Sequence, residues 1–351
     1  MSKAVYPGYR AEDLRREGLQ PQPEVWEDGL RTDTAPGYFE WWYFDAHFDD
    51  GSTAVIVFYT KPILNRSAGL MPGLSVTITR PDGEKRVRFL LFSPDEFSAA
   101  QDSCNVRIGE NRVKGDLKSY SLHVDSGDLA ADLEMSAVVP AWRPGAGMNY
   151  YDAERKRYFA WLAGVPYGQV SGTLRYDGET HPVQGSIYHD HNWGNVGLEQ
   201  VMSHWYWGRA RVGEYTCIFV EMTSAKQYGG QKMPVFMLAR GGEILIEDGR
   251  PLCMDARDFV NHSGGRSYPQ QISFDWAGDP GRVHIKLSDL QIIEATSLLS
   301  SLPRWKQFLA RLMGANPYYF RFNAAMRLDV AFGGIESTEH GQALYEIMLL
   351  R

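Results

Sequence analysis

The feature that most constrains the fold is a succession of short runs rich in β-branched and aromatic residues, separated by turn dipeptides. Residues 53–60 (TAVIVFYT) follow Asp50-Gly51, and residues 74–80 (LSVTITR) lead into a PDGE turn. The pair Asp177-Gly178 predicts a tight hairpin turn. Many short strands at this spacing are typical of antiparallel barrels and sandwiches, not of parallel α/β folds. We therefore expect a mainly β protein.

Charge and cysteine content narrow the function classes. The chain has 44% apolar residues, enough to bury one large core or two smaller ones, and a net charge of −7 without a dense Lys/Arg block. This balance argues against a nucleic-acid partner and against strong attraction to anionic membranes. No dinucleotide or P-loop glycine pattern is present, so we expect no nucleotide cofactor.

Compartment can be inferred from the cysteines and from apolar runs. The three cysteines, Cys104, Cys217 and Cys253, have no C-x-x-C spacing, so they predict neither a disulfide framework nor a zinc ribbon. A reducing, cytoplasmic setting fits best. No signal-peptide-like stretch opens the chain and no run of about eighteen apolar residues occurs, so we expect no transmembrane segment.

A weak internal repeat suggests two related β units. Residues 42–44 (WYF), then Gly51 and a long apolar run, have a counterpart in residues 205–207 (WYW), then Gly213 and another apolar run. Aromatic-rich hairpins also resemble one another through composition alone, so this alternative stays open. If the duplication is real, the chain divides into residues 1–184 and 185–351.

One short amphipathic helix is predicted in the C-terminal half, after Pro303. Its apolar residues recur at helical spacing and Gly314 is placed to end it. The stripe comprises Trp305, Phe308, Leu309, Leu312 and Met313. Such a helix packs on or plugs a barrel, or alternatively acts as a lid or a peripheral membrane contact.

The densest group of ionisable residues is YHDHNWG at residues 188–194. Because side chains alternate across a strand, His189, His191 and Trp193 share the apolar, inward face, and Asp190 points to the other side. The two histidines could share a metal, but the third ligand would have to come from elsewhere. The candidates for it are His204, Glu221 and Asp45.

An acid–base site agrees better with the physical chemistry of this stretch. A carboxylic acid in an apolar pocket has a raised pKa and can donate a proton near neutral pH, and a neutral histidine can orient water. Indole and phenol rings can stabilise a transient carbocation by about 0.5–2 kcal/mol each. The alternative is a hydrogen-bonded strand end without chemistry. Asp45, beside Trp42 and Tyr43, has the same two readings: pocket acid or satisfied structural group.

Three segments together resemble a known superfamily: residues 37–45 (GYFEWWYFD), 190–194 (DHNWG) and 204–207 (HWYW). They are similar to the lipocalin-like superfamily of the carotenoid 1,2-hydratases (hydroxyneurosporene synthases), kievitone hydratase and the fungal decalin-forming Diels–Alderases. The resemblance implies two lipocalin-like antiparallel β-barrel or sandwich units with an apolar pocket within or between them. It also implies chemistry without a cofactor or metal, on large hydrophobic isoprenoid or polyketide molecules.

Carried over by residue, the resemblance places the H-x-W pair of the carotenoid hydratases at His191 and Trp193. Their tyrosine and aspartate further along have no full match, because residues 218–221 read IFVE and leave only Glu221 as the acid. We expect hydration or dehydration of a C=C bond, with His191, Glu221 and Asp190 as catalytic residues. An intramolecular cyclase and a non-catalytic carrier are the alternatives. The expected substrate-binding residues are Trp193, Trp205, Tyr206, Trp42, Tyr43, Asp45, His189 and His204.

Overall fold

The computed structural model describes residues 3–62, 65–299 and 316–351. The chain divides into two compact units. The N-terminal unit comprises Tyr6–Tyr150 and Glu154–Gly197, and the C-terminal unit comprises Leu198–Arg351 with Met1–Val5 and Tyr151–Ala153. The predicted helix after Pro303 lies outside the described residues.

Antiparallel strands make up almost all of the described part of the N-terminal unit. It also contains the short α-helix α1 (Ala11–Glu17) and 3₁₀ turns at Val25–Asp28 and Pro94–Glu96. The strands are β1 (Tyr6–Pro7), β2 (Phe39–Phe48), β3 (Thr53–Tyr59), β4 (Gly73–Thr79), β5 (Lys85–Leu91), β6 (Phe97–Ala99), β7 (Cys104–Ile108), β8 (Asn111–Gly115), β9 (Ser119–Asp125), β10 (Ala130–Val139), β11 (Met148–Tyr150), β12 (Tyr158–Tyr176) and β13 (Glu179–Gly194).

The C-terminal unit has the same character. It contains α2 (Leu198–Val201) and the 3₁₀ turn Lys226–Tyr228. Its strands are β14 (Met202–Val212), β15 (Tyr215–Ser224), β16 (Lys232–Arg240), β17 (Glu243–Ile246), β18 (Leu252–Asn261), β19 (Ser267–Gly278), β20 (Gly281–Ser297), β21 (Tyr318–Phe332) and β22 (Ile335–Leu349). The predicted mainly β, antiparallel fold is confirmed, and the structure shows that the sheets are curled.

The order of strands is related in the two sheets. The N-terminal sheet runs β5-β4-β3-β2-β13-β12-β10-β9-β8-β7-β6, and the C-terminal sheet runs β17-β16-β15-β14-β22-β21-β20-β19-β18. In each, the first strand of an aromatic-rich meander pairs on its other side with the last strand of the same unit. This shared order agrees with the two related β units that the internal repeat predicts.

The predicted division at residue 184 falls inside β13. That strand forms an antiparallel ladder with β12 along most of its length and a second ladder with β2, so its hydrogen bonds tie it to the N-terminal sheet. The compact units divide between Gly197 and Leu198 instead. The whole YHDHNWG stretch therefore belongs to the N-terminal unit.

Two glycines show why these strands pair as they do. Asp177 and Gly178, with φ of 54° and 82°, form the two-residue turn between β12 and β13, which confirms the predicted hairpin. At Gly185 a Cβ would lie 2.2 Å from the carbonyl oxygen of His47 on β2, so only glycine allows this close approach.

Among the described residues, no helix has the length and apolar character needed to cross a lipid bilayer.

Candidate functional site

The last third of β13 presents two different chemical faces. Opposite each of its residues stands a residue of β2: His189 pairs with Phe44, Asp190 with Tyr43 and His191 with Trp42. Both histidines, buried, face the interior of the unit, where their ring atoms lie close to two carboxylates. Asp190 lies on the opposite face, as the alternation of side chains along a strand requires.

On the inner face, His189 forms the centre of a buried polar group. Its ring stacks on Phe44 at 4.1 Å between centroids, and its Nε2 lies 3.0 Å from Oδ2 of Asp28. The same carboxylate oxygen accepts a hydrogen bond of 2.6 Å from the Tyr120 hydroxyl. Nδ1 of His189 lies 2.9 Å from the carbonyl oxygen of Tyr43. Since a carbonyl can only accept, Nδ1 carries a proton.

The protonation states follow from these contacts. Burial favours the neutral form of Asp28, but the charge and hydrogen bond of His189 outweigh it and hold the pKa of Asp28 below its ordinary value. Burial likewise opposes the charged form of His189, but the Asp28 carboxylate raises the pKa of this imidazole above 6.5. The two groups therefore form a buried ion pair in which both ring nitrogens of His189 are protonated.

His191 occupies the neighbouring inward position. Its ring is stacked on Trp42 at 4.6 Å between centroids and tilted against Trp193 at 4.7 Å. Nε2 lies 2.8 Å from Oε1 of Glu40, and Nδ1 lies 3.4 Å from Oδ1 of Asp28 without an aligned hydrogen bond. Two indole rings and two carboxylates thus surround the His191 ring. Its predicted role in orienting water stays a prediction.

The inner groups are assembled by residues 25–32, which we call the strap. Backbone N–H groups of Arg31 and Thr32 donate to the Glu40 carboxylate at 2.7 and 2.8 Å. The Trp42 indole donates to the carbonyl oxygen of Asp28 at 2.9 Å. Glu27 and Arg143 form an ion pair of 2.5 Å with both side chains buried. The strap is therefore fixed to the sheet by charged and backbone hydrogen bonds along its length.

The inner face also contains a group of metal-ligand types. Asp28, Cys104 and His189 each offer a ligand atom, and these atoms lie within 4.8 Å of one another. Burial, with the Asp28 charge, raises the pKa of the Cys104 thiol well above its ordinary value. Because metals bind thiolate, occupancy would require this thiol to lose its proton. The third ligands predicted for the histidine pair lie elsewhere: Asp45 on the outer face, and His204 and Glu221 in the C-terminal unit.

On the outer face, Asp190 is surrounded by aromatic donors. Its Oδ2 accepts hydrogen bonds from the Tyr188 hydroxyl at 2.8 Å and from the Trp161 indole at 3.0 Å. Its Oδ1 accepts one of 2.7 Å from the Asn192 amide. Burial raises the pKa of Asp190, and these hydrogen bonds offset only part of the effect. Asp190 is thus a carboxyl group whose proton is retained to higher pH than usual.

More aromatic rings extend this outer face. Tyr43 meets Tyr188 edge-on at 6.4 Å, and its hydroxyl donates to Asp45 at 3.3 Å. Trp142 meets Trp161 edge-on at 5.7 Å. Of the predicted residues, Asp190, Tyr43 and Asp45 therefore share the outer face, whereas His189, His191, Trp193 and Trp42 share the inner one.

The remaining predicted residues lie in the C-terminal unit. Glu221 on β15 forms an ion pair of 2.9 Å with Lys232 on β16, and its cross-strand neighbour on β14 is Tyr206. His204 meets Tyr206 edge-on at 5.5 Å, and burial lowers the pKa of His204. Trp205 belongs to the same strand. Within the C-terminal unit, Glu221, His204 and Tyr206 thus form a second local group.

Trp193 also borders a cavity of the N-terminal unit with a volume of about 220 Å³. The strap contributes Trp26 and Arg31 to its wall, and β12 contributes Tyr158.

Four residues of the site are absent from the predicted one: Asp28, Cys104, Tyr120 and Trp161. Asp28, Cys104 and Tyr120 belong to segments far from β13 along the chain, whereas Trp161 lies on the paired strand β12, and no local pattern singles out any of the four.

Comparison with known proteins identifies a family and several relatives that this chain matches. The Svf1 family matches residues 84–350. A hydroxyneurosporene dehydrogenase of Chlorobaculum tepidum is 27% identical over 208 residues, 50% of this chain and 54% of that protein. The quinolone epoxide rearrangement protein penF of Penicillium thymicola is 29% identical over 75 residues, 21% of this chain and 20% of that protein. The match thus spans about half of the first relative and a fifth of the second.

A third relative is matched over more of its length. The ceramide-binding protein svf1 of Emericella nidulans is 21% identical over 271 residues, 73% of this chain and 69% of that protein. Among solved structures, CghA with Sch210972 has a TM-score of 0.64 at 16% identity, covering 90% of this chain and 89% of that one. Kievitone hydratase from Nectria haematococca has a TM-score of 0.58 at 13% identity, covering 99% and 98%. These structures share the fold, and the predicted superfamily resemblance is confirmed.

Proposed function

The chain belongs to the Svf1 family, and from this premise we propose that it is a cofactor-independent enzyme acting on a large hydrophobic isoprenoid or polyketide-type molecule. The proposed reaction is acid–base addition of water to a C=C bond, or its removal. Relatives named for hydroxyneurosporene and quinolone epoxide chemistry support an enzymatic role. The reducing, cytoplasmic location expected from the cysteines is part of the same proposal.

One observation carries the proposal: two buried carboxyl groups beside one strand have pKa values shifted in opposite directions. His189 lowers the pKa of Asp28, and burial raises the pKa of Asp190 on the other face of β13. Environments that push two pKa values apart are typical of acid–base sites. Asp190 is therefore the better candidate for the acid than Glu221, whose carboxylate is neutralised by Lys232 at 2.9 Å.

In the proposed hydration, the Asp190 carboxyl donates its proton to one alkene carbon and leaves a carbocation on the other. Tyr188, Trp161 and Tyr43 surround this position, and aromatic faces stabilise such a cation by about 0.5–2 kcal/mol each. Water then forms the new C–O bond and returns one proton to the Asp190 carboxylate. The reverse sequence removes water. His191 acts as a positioning residue, because its contacts fix Trp193 and Glu40.

Two other functions are compatible with the same fold. A cyclase or rearrangement activity is favoured by the match to a quinolone epoxide rearrangement protein. A carrier of a hydrophobic ligand is favoured by the ceramide-binding relative, which matches 73% of this chain. Both would use an apolar binding site, but only an enzyme changes its ligand.

Product analysis separates the three functions. Purified protein is incubated with lycopene, geranylgeraniol, a linear polyene tetramate and a long-chain ceramide, and products are separated by liquid chromatography with mass detection. Gain or loss of one water means hydration or dehydration, an unchanged mass with a new retention time means cyclisation, and recovered ligand that co-purifies with the protein means carriage.

Matched variants then assign the acid. We expect Asp190→Asn to lower kcat by about 10²–10⁴-fold while ligand binding persists, and Glu221→Gln to have a much smaller effect. His191→Ala tests the proposed positioning role of this histidine, whose side chain lies on the face of β13 opposite Asp190. If Asp190→Asn turns over like the wild type, the acid assignment is wrong. Loss of activity on adding a chelator would instead indicate a metal at the Asp28, Cys104 and His189 group.

A further inference from the structure

The cavity beside Trp193 is lined by side chains to which the proposed reaction gives no role. It lies on the inner side of β13, opposite the face of Asp190, and its volume is about 220 Å³. This is less than the 300–1,000 Å³ of sites for drug-sized ligands. An isoprenoid or polyketide chain would not fit in it, so its occupant would be a second, smaller molecule.

Two donors at the wall of this cavity have spare hydrogen-bonding capacity. Arg31 uses Nε for the carbonyl oxygen of Gly29 and Nη2 for that of Gln101, but its Nη1 meets no acceptor among the described residues. The Tyr158 hydroxyl likewise has no hydrogen-bond partner in the part of the chain that the structure describes. Burial raises the pKa of Tyr158, so this hydroxyl remains a donor at neutral pH.

Flat aromatic surfaces accompany these donors. Trp193 and Trp26 both border the cavity, and the guanidinium of Arg31 is stacked over the Trp26 ring at 4.7 Å. Tyr150 also borders it, but its hydroxyl already donates to Glu17 at 2.7 Å. A ligand with a planar ring and one or two acceptor oxygens would satisfy the donors and cover the rings.

The surrounding charges decide between a neutral and an anionic ligand. Three carboxylates lie near Arg31: those of Glu40, Glu27 and Asp28. Arg143 neutralises Glu27 at 2.5 Å, and His189 neutralises Asp28 at 3.0 Å. The charge of Arg31 is then balanced by Glu40. The other charged groups at the wall, Arg155 and Glu17, also balance each other, because Arg16 beside them pairs with Asp13 at 2.8 Å. An added anion would leave this half-buried group with an uncompensated negative charge, which is costly away from water.

We propose that this cavity is a binding site for a small, neutral, planar molecule with a carbonyl or hydroxyl oxygen, held by Arg31 and Tyr158 and stacked on the tryptophans. The site is separate from the proposed acid at Asp190. A ligand here would contact the indole that packs on His191, since Trp193 borders the cavity and meets that imidazole at 4.7 Å.

Coumarin and coumarin-3-carboxylate form a matched pair of probes, one neutral and one anionic, for calorimetric titration of the full chain. We expect coumarin to bind and the carboxylate to bind at least tenfold more weakly. Tyr158→Phe removes one hydrogen bond and is expected to weaken coumarin about three- to tenfold. Met148→Trp, which fills the cavity, is expected to abolish binding. Tyr268→Phe, in the C-terminal unit, is the control and should leave the affinity unchanged.

Several outcomes would overturn the proposal. They are absence of coumarin binding at millimolar concentration, tighter binding of the carboxylate, or equal affinity in the wild type, Tyr158→Phe and Met148→Trp. Far-ultraviolet circular dichroism of each variant establishes that it is folded. Binding is measured without turnover, and Asp190→Asn should retain it, so failure of this site and failure of the proposed reaction are distinguishable.

Discussion

Replacing Asp28 with asparagine should reverse the pH dependence of stability that His189 contributes. In the wild type, Nδ1 of His189 donates to the carbonyl oxygen of Tyr43 and Nε2 donates to Asp28, so the ring is an imidazolium. In Asp28→Asn the new amide can donate to Nε2 of a neutral ring, and its oxygen can still accept from Tyr120. The substitution therefore exchanges a charged hydrogen bond for a neutral one while keeping the shape.

The magnitude follows from the contacts that change. A hydrogen bond between charged groups contributes about 1.5–3 kcal/mol and a neutral one about 0.5–1.5 kcal/mol, so we expect a loss of about 1–2 kcal/mol near pH 5–6. Asp28→Ala would leave Tyr120 and an imidazolium unpaired and cost about 3–5 kcal/mol. The difference between the two variants isolates the worth of the remaining hydrogen bonds.

The sign of the pH dependence distinguishes the ion pair from a neutral contact. The raised pKa of His189 contributes stability below its ordinary value of 6.5, and this is lost as pH rises through the folded-state pKa. The lowered pKa of Asp28 contributes stability above its ordinary value of 3.8, which is lost as pH falls. In Asp28→Asn, burial, the largest influence on His189, is opposed only by the Tyr43 carbonyl and the Asp190 charge. We therefore expect its pKa to fall below 6.5, so that stability rises with pH between about 5 and 6.5.

Urea unfolding from pH 5 to pH 8 tests this directly. Above pH 6.5 the wild type should lose up to about 1.4 kcal/mol per pH unit relative to the variant. Asp132→Asn, which removes the carboxylate of the exposed pair with His123, is the control, and its curve should run parallel to the wild type. Parallel curves for Asp28→Asn would refute the ion pair.

Two further predictions concern stability. Gly185→Ala should cost about 1–3 kcal/mol in urea unfolding, because its Cβ would lie 2.2 Å from a backbone oxygen of β2, whereas Gly69→Ala, with open space around it, should cost much less. As pH rises above 3.8, Asp190→Asn should become more stable than the wild type, by up to about 1.4 kcal/mol per pH unit until the raised pKa is passed. The reason is that the folded wild type keeps a proton that its unfolded chain releases. Equal pH slopes of the unfolding free energy in the two proteins would contradict the raised pKa.

Local patterns predicted a large part of this architecture. The alternation of residues 188–194 separated the inward histidines from Asp190, and a two-residue turn signal located the β12–β13 hairpin. Both depend on neighbours in sequence, because the side-chain period of a strand and the backbone angles of a turn are local properties. The weak internal repeat likewise indicated two aromatic-rich hairpins, which occupy equivalent places in their sheets.

The partners of the histidines could not be predicted in the same way. Asp28 ends a single 3₁₀ turn, which is too short to show a sequence period, and it meets His189 across 161 positions of sequence. The ion pair of Glu221 depends on the register of β15 with β16, which places Lys232 beside it. The division of the chain also depended on pairing: β13 binds both β2 and β12, and no composition change marks that choice.

The strap imposes an order of events on synthesis. Its Asp28 cannot form its ion pair until His189 has been made, 161 residues later. At about 5–20 residues per second, translation leaves this segment waiting on the order of ten seconds or longer. During that interval β2 and β3 are complete but β2 lacks β13 as a neighbour, so its unpaired edge and apolar side chains stay open to aggregation and chaperone capture. Closure of the interior is consequently a late step, coupled to the arrival of the same strand that carries the candidate site.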